Sequence, residues 1–307
     1  MSARRAVAIG GGTGLPLVLR CLLEAGFDPT AVVTVADDGG SSGELRRELG
    51  VLPPGDIRNC LVALAEPGSA LASLFQYRFS QGSGLAGHAL GNLAIAALAD
   101  IEGGFAEGVE AAARLLGARG KVLPATLADV RLSGRDAVGT LITGQANVAG
   151  TDGPIAAVCM EPEAPPAHGP ALDAIEQAEL VVIGPGSLFT SIIPNFLVGG
   201  MTQAVRSTRG TVIYVCNVAN MRGETNGMDA ADHVDALVRH GLDGVIDVAL
   251  VDTSHLPEEH PHVAAGPDVV GRIEARGIRV HAAPLADPAT PTHHDPARLL
   301  AALGEVW

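Results

Sequence analysis

The chain is poor in aromatic side chains and in positive charge. Six Phe, two Tyr and one Trp in 307 residues leave the core to Ala, Val, Leu and Ile. Twenty Lys and Arg against 34 Asp and Glu give a formal net charge of −14. That excludes the basic footprint that nucleic acids and anionic membranes require, so neither is expected as a partner. A small anionic ligand stays admissible, because backbone N–H groups can hold its phosphates. Cys21, Cys60, Cys159 and Cys216 show no C-x-x-C spacing. A structural zinc site is therefore not expected, and the thiols read as reduced, in a cytoplasmic protein. Apolar runs are brief. None nears the ~18 residues of a membrane-spanning helix, and the run after Arg4-Arg5 ends at Ile9, too soon for a secretory leader.

What the chain has in quantity is glycine, 39 residues, within a composition that is 47% hydrophobic. This describes a folded chain with many tight turns, not a disordered one. Short apolar runs alternating with helical stretches predict a Rossmann-like α/β fold, a mostly parallel sheet with helices on both faces. Residues 1–307 read as one domain. Residues 121–160 change texture: Leu127–Leu132, Val138–Thr143 and Ile155–Met160 predict an antiparallel strand insertion. There is no internal repeat or low-complexity segment.

Polar loops follow the predicted strands. Ala6–Ile9 runs into Gly10-Gly11-Gly12-Thr13-Gly14 and then a helix, Leu15–Ala25. Such glycines let backbone approach a phosphate at a helix N-terminus, although the spacing fits neither G-x-G-x-x-G nor a P-loop. Ala31–Val33 leads into Thr34-Val35-Ala36-Asp37-Asp38-Gly39-Gly40-Ser41-Ser42-Gly43-Glu44, which pairs two carboxylates with a Ser41-x-x-Glu44 capping box. Asp37 falls 23 positions after Gly14, close to where a dinucleotide fold places its ribose-binding acid. Next, Asp56 is expected to cap the helix Ile57–Ala65, with Arg58 and Asn59 in the same turn able to meet a phosphate. Ser69–Ser80 predicts a helix with Leu71, Leu74 and Phe75 on its core face. His88 and Asn92 open an otherwise apolar helix. A second strand-then-glycine loop, Gly184-Pro185-Gly186-Ser187-Leu188-Phe189-Thr190-Ser191, offers hydroxyls and amides to phosphate oxygens. Asn217 ends a later strand, and Asp252, His255, His260 and His262 lack regular metal-ligand spacing.

Taken together and in this order, these stretches closely resemble the YvcK-type gluconeogenesis factors, which bind uridine-diphosphate-N-acetylglucosamine and share a superfamily with 2-phospho-lactate transferase. The likeness runs from Val7 to about Val251. It implies a uridine-diphosphate-sugar ligand and a regulator of central carbon metabolism, cell-wall precursor supply and cell shape, acting on protein partners, with a homodimer admissible. Its expected ligand-binding set is Gly11, Gly12, Thr13, Gly14, Asp37, Asp38, Ser41, Ser42, Asp56, Arg58, Asn59, His88, Asn92, Gly186, Ser187, Leu188, Thr190 and Asn217. No residue is assigned as catalytic, and no nucleophile–base pair is evident. The alternative is a transferase using a nucleotide-diphosphate-activated donor, in which Asp37, Asp38 and Asp56 would hold Mg²⁺, the one cofactor in view. Two departures bear on affinity and sugar preference. Ile273 and His293 stand where relatives carry an aromatic residue and an arginine, and Val218-Ala219-Asn220-Met221 replaces a Met-Thr-Gln stretch.

Overall fold

The computed structural model describes residues 3–151, 153–254 and 261–307. β1 (Arg4–Gly10), α1 (Gly14–Glu24) and β2 (Phe27–Val33) form the opening βαβ unit. Five helices precede the next strand: α2 (Gly40–Leu49), α3 (Gly55–Leu64), α4 (Ala70–Gln76), α5 (Leu90–Glu102) and α6 (Phe105–Leu116). β3 (Lys121–Pro124) is followed by β4 (Arg131–Asp136), β5 (Leu141–Thr143), α7 (Gln145–Ala149) and β6 (Ile155–Glu161). The α/β alternation then resumes with α8 (Gly169–Glu176) and β7 (Leu180–Ile183). One wide π-type turn, Leu188–Ile192, leads into α9 (Ile193–Phe196), α10 (Met201–Ser207) and β8 (Thr211–Val215). α11 (Ala230–Leu237), a second π-type turn (Val238–Leu242), β9 (Val248–Asp252), α12 (Pro267–Glu274), β10 (Arg279–Ala283) and α13 (Pro296–Gly304) complete the chain.

Seven strands form one parallel sheet in the order β10-β9-β8-β7-β1-β2-β3. Ala8 of β1 pairs with Ala31 on one side and Val182 on the other. The central strands are apolar on both faces because helices cover both, the usual signature of a parallel sheet. β2 lies to one side of β1 and β7 to the other, so the connections diverge between β1 and β7. That divergence opens a crevice beyond the strands' C-terminal ends.

The mostly parallel α/β architecture with a small antiparallel sheet matches the sequence pattern, but its borders move. The antiparallel sheet is β5-β4-β6, and Lys121–Pro124 instead extends the main sheet, Val122 opposite Ala31 and Pro124 opposite Val33. The apolar edge of β2 offers Val122 and Pro124 a buried neighbour, whereas Leu127 is exposed between the two sheets. The helix expected to reach Ser80 stops at Gln76. Arg78 there bridges Ala89 in an extended segment, leaving Leu74 51% exposed while Phe75 is 3% exposed.

The C-terminus closes the far end of the sheet. α13 packs against α1, and the single Trp, Trp307, meets Phe27 edge-to-face at 5.2 Å, with the Arg4 guanidinium over the Phe27 ring, 4.5 Å from its centroid. Trp307→Ala should lower the unfolding free energy by about 1–3 kcal/mol through lost aromatic packing, read by denaturant titration with circular dichroism.

Candidate functional site

The crevice is built from backbone before side chains. The first glycine loop leaves β1 at Gly10, and α1 starts at Gly14 with no side-chain cap on its amides, an arrangement open to an anion. A methyl group on residue 14 would lie 2.4 Å from the Pro185 carbonyl oxygen. Only glycine there lets the β1 loop rest on the β7 loop. Asn195, fully buried, donates from Nδ2 to the carbonyls of Gly10 (3.2 Å), Ser191 (2.8 Å) and Ile192 (3.1 Å), tying both loops to α9. Asn217 pins the second loop reciprocally: its Nδ2 donates to the Gly186 carbonyl (2.8 Å), and the Gly186 N–H donates to its Oδ1 (3.1 Å). These bonds fix the loops before any ligand arrives.

Three acids approach this crevice and do different work. Asp56 does not cap its helix, which begins at Gly55 after Pro54. Its Oδ2 accepts instead from the Gly12 N–H at 2.7 Å, so it braces the first glycine loop. Burial, with the Asp37 charge adding, pushes its carboxyl up to about 6, against the opposing Gly12 N–H and Arg58. Asp37 is likewise raised, chiefly by burial, although the Gly39 N–H and Ser42 hydroxyl favour its charged form. Asp38 turns away. Its two oxygens accept from the Gln145 and Ala146 N–H groups at 2.9 and 2.8 Å, capping α7 beside the small sheet.

The first turn of α2 also departs from expectation. Ser41 and Ser42 lie inside the helix, whose N-cap is Gly39, so the capping box does not form. Ser41 Oγ meets His88 Nδ1 at 3.0 Å and accepts from Asn92 Nδ2 at 3.1 Å. His88 Nε2 lies 3.3 Å from Glu44 Oε2, and Ser42 Oγ accepts from the Gly55 N–H at 3.1 Å. The two serines, His88 and Asn92 thus clamp α2 to α5 and α3 behind the crevice.

Around the second loop, Leu188 and Thr190 are buried, and Ser187 Oγ donates to Met221 Sδ. The Thr190 hydroxyl does not face the crevice, because it donates to Glu224 Oε1 at 2.5 Å. Glu224 was not singled out in the sequence, since its burial comes from remote packing. Its Oε2 has no hydrogen-bond partner among the described residues. Burial raises its carboxyl to about 7, while the Thr190 hydroxyl and the nearby Phe189, Thr190 and Leu188 N–H groups favour the charged form. Asn195 carries no local signal either, because the Gly10 carbonyl it holds lies 185 positions away.

Asp252 and His262 pair at 3.1 Å, and His255 and His260 lie outside the described residues. Among the described residues no group of three His, Cys, Asp or Glu could hold a metal by itself. Ile273 is buried in the core on α12, and His293 is exposed beside Thr292. Facing the crevice are the Gly11–Gly14 backbone, exposed Thr13, Asp37, Asp56 and the Gly186–Ser187 turn. Arg58 and Asn59 lie further along α3, with Arg58 Nη2 donating to Asn59 Oδ1 at 2.8 Å.

This arrangement has relatives. A family model for 2-phospho-L-lactate transferase CofD matches residues 6–286. A gluconeogenesis factor from Bacillus subtilis is 45% identical over 260 residues, 84% of this chain and 82% of the relative. One from Halalkalibacterium halodurans is 45% identical over 251 residues, 82% of this chain and 78% of the relative. A relative from Nostoc is 51% identical over 231 residues, 75% of this chain, and the match spans about half of that relative's length, 51%. The crystal structure of a UPF0052-family protein from Bacillus halodurans has a TM-score of 0.92 and 38% identity, covering 99% of each chain.

Two outcomes follow from the acids. Asp38→Ala should cost about 1 kcal/mol by uncapping α7, and hydrogen exchange should show the loss concentrated in residues 131–161. Glu224 carries a folded-state pKa above its ordinary 4.5. The folded protein therefore binds more protons than the unfolded one, and stability falls as pH rises from 4.5 to about 7. Glu224→Gln should be the more stable protein above pH 7, by on the order of 3 kcal/mol, and lose that advantage below pH 4.5, as measured by denaturant titrations across pH.

Proposed function

Because the chain belongs to the family of 2-phospho-L-lactate transferase CofD and matches gluconeogenesis factors over most of its length, we propose that it is a cytoplasmic regulator that binds a uridine-diphosphate sugar. The sugar is N-acetylglucosamine, and the bound state controls carbon metabolism, cell-wall precursor supply and cell shape through protein partners. The observation carrying this reading is the meeting of two glycine loops, Gly10–Gly14 and Gly184–Ser187, at the sheet's switch point, held there by Gly14 and Asn217. Backbone amides in fixed positions at a helix N-terminus suit a diphosphate even in an acidic protein.

Asp37 and Asp56 favour a second reading, a transferase acting on a nucleotide-diphosphate-activated donor. Both carboxyls are raised, chiefly by burial, with the Asp38 charge adding at Asp37 and the Asp37 charge adding at Asp56, and bare carboxylates beside a diphosphate repel it by roughly 1–4 kcal/mol per close pair. Mg²⁺ takes one or two carboxylates and completes its shell with phosphate oxygens and water. Asp37 and Asp56 fit that role, whereas Asp38 is occupied on α7. When bound, Mg²⁺ supplies charge neutralisation. This chain's own part is to present the two acids beside Gly12 and to hold the loops still.

Thermal unfolding with uridine-diphosphate-N-acetylglucosamine decides between them. Stabilisation of about 2.7 kcal/mol is expected at a hundredfold excess over Kd, and the absence of a shift with every uridine-diphosphate sugar, with and without Mg²⁺, sinks the regulator reading. Preference for a guanosine-diphosphate-linked donor, with turnover, would establish the transferase. In either case Asp37→Asn should remove any Mg²⁺-dependent gain in affinity, and Asp38→Asn should leave it in place.

A further inference from the structure

A cleft at the opposite edge of the sheet gathers positive charge that the glycine-loop site does not use. Arg206, Arg209 and Arg279 line it together with Thr208, Gly244 and Asp247, around a volume of about 480 Å³. Strand register brings these residues together. Arg279 opens β10 and pairs with Val248, the first residue of β9, which in turn pairs with Ile213 of β8. Arg209 lies two residues before β8 begins, and Arg206 stands in the last turn of α10. The crevice lies past the C-terminal ends of the strands, whereas this cleft lies at the N-terminal ends of β8, β9 and β10. The two share no residue.

The three arginines are exposed, yet no acid answers them. With 34 Asp and Glu in the chain, arginines elsewhere find carboxylates, as Arg46, Arg114, Arg272 and Arg276 do. Among the described residues Arg206, Arg209 and Arg279 form no ion pair. Asp247, the one acid lining the cleft, is turned to the main chain, its Oδ2 accepting from the Val212 N–H at 2.8 Å. The frame of the cleft is fixed as well. Arg206 Nη2 donates to the Asp243 carbonyl at 3.2 Å, which draws its side chain towards the turn before β9. The Thr208 hydroxyl donates to the Ala178 carbonyl at 3.1 Å and accepts from the Gly210 N–H at 3.2 Å. A methyl group on residue 210 would lie 2.6 Å from that same carbonyl oxygen, so the turn carrying Arg209 rests directly on the chain ahead of β7. The apolar side chains of the lining, Val205, Val212 and Val245, are buried, and no aromatic residue borders the cleft among the described residues.

We propose that this cleft binds a small polyanion that carries phosphoryl groups and no aromatic ring. Guanidiniums meet phosphate oxygens by charge-assisted, two-point hydrogen bonds. Three like charges confined to one concave space also raise the local concentration of anions, and a bound polyanion relieves their mutual repulsion. Without an aromatic or exposed apolar wall there is nothing for a nucleobase to stack on, which sets this ligand apart from a nucleotide sugar in the crevice. The site stands on residues of its own and does not depend on the uridine-diphosphate-sugar reading.

Pyrophosphate, in metal-free buffer at constant ionic strength, is the probe. Because it can enter the crevice too, the readout is local: hydrogen exchange of the backbone amides, followed peptide by peptide. Saturable protection is expected in residues 205–212 and 243–248. Its midpoint should move about tenfold to higher pyrophosphate in Arg209→Gln and in Arg279→Gln. Both side chains are exposed, so these variants should fold as the wild type does. Any protection of residues 10–14 and 184–190, which form the crevice, should be the same in all three proteins. Arg131→Gln, which removes an exposed charge from the small sheet, should leave every midpoint unchanged. The site is overturned if residues 205–212 and 243–248 gain no protection, if the two cleft variants bind like the wild type, or if Arg131→Gln shifts the midpoint as far as they do. Absence of uridine-diphosphate-sugar binding alongside intact protection of the cleft would defeat the regulator reading and leave the cleft standing.

Discussion

Everything at the functional end of this protein depends on two backbone loops touching. The first glycine loop can lie on the second only because residue 14 has no side chain to meet the Pro185 carbonyl. From that contact the rest follows in sequence. β1 and β7 are neighbours, their connections run in opposite directions, and the crevice between them is lined by main chain. Side chains serve chiefly to keep it so: Asn195, Asn217 and Asp56 each hydrogen-bond loop backbone. A site made this way is rigid and presents dipoles already aligned, which spares the ligand the cost of ordering them.

The acids show how a strongly negative chain can host an anion. Asp38 is neutralised in effect by the amides of α7, and Glu224 is withdrawn beneath the second loop with Thr190. Asp37 and Asp56 remain near the crevice, where burial raises both. Burial is the leading cause at each, since it disfavours a bare carboxylate charge.

Much of the fold was legible because its signals are local. Strand, glycine loop and helix follow one another within about twenty residues, and apolar runs such as Leu180–Ile183 announce a sheet covered on both faces. Function was harder wherever a side chain's partner is distant. Ser41 looks like a cap, yet its hydroxyl goes to His88, 47 positions away. Asp56 looks like a cap as well, yet it serves Gly12, 44 positions earlier. Asp38 reaches 107 positions forward to α7. For Ser41 and Asp56 the local capping propensity is real but weak, and a tertiary bond outweighs it. The border of the insertion slipped for the same reason, because only the sheet itself reveals that the edge of β2 is free to take Lys121–Pro124.

The pairing of Trp307 with Phe27 has an optical consequence. Phe27 is the first residue of β2, and the crevice lies past its last, a separation of about 20 Å at the usual strand rise. The protein's sole indole is therefore stationed at the opposite pole from the glycine-loop crevice. Its emission reports whether the C-terminal helix is docked, and a ligand entering between the glycine loops passes unseen.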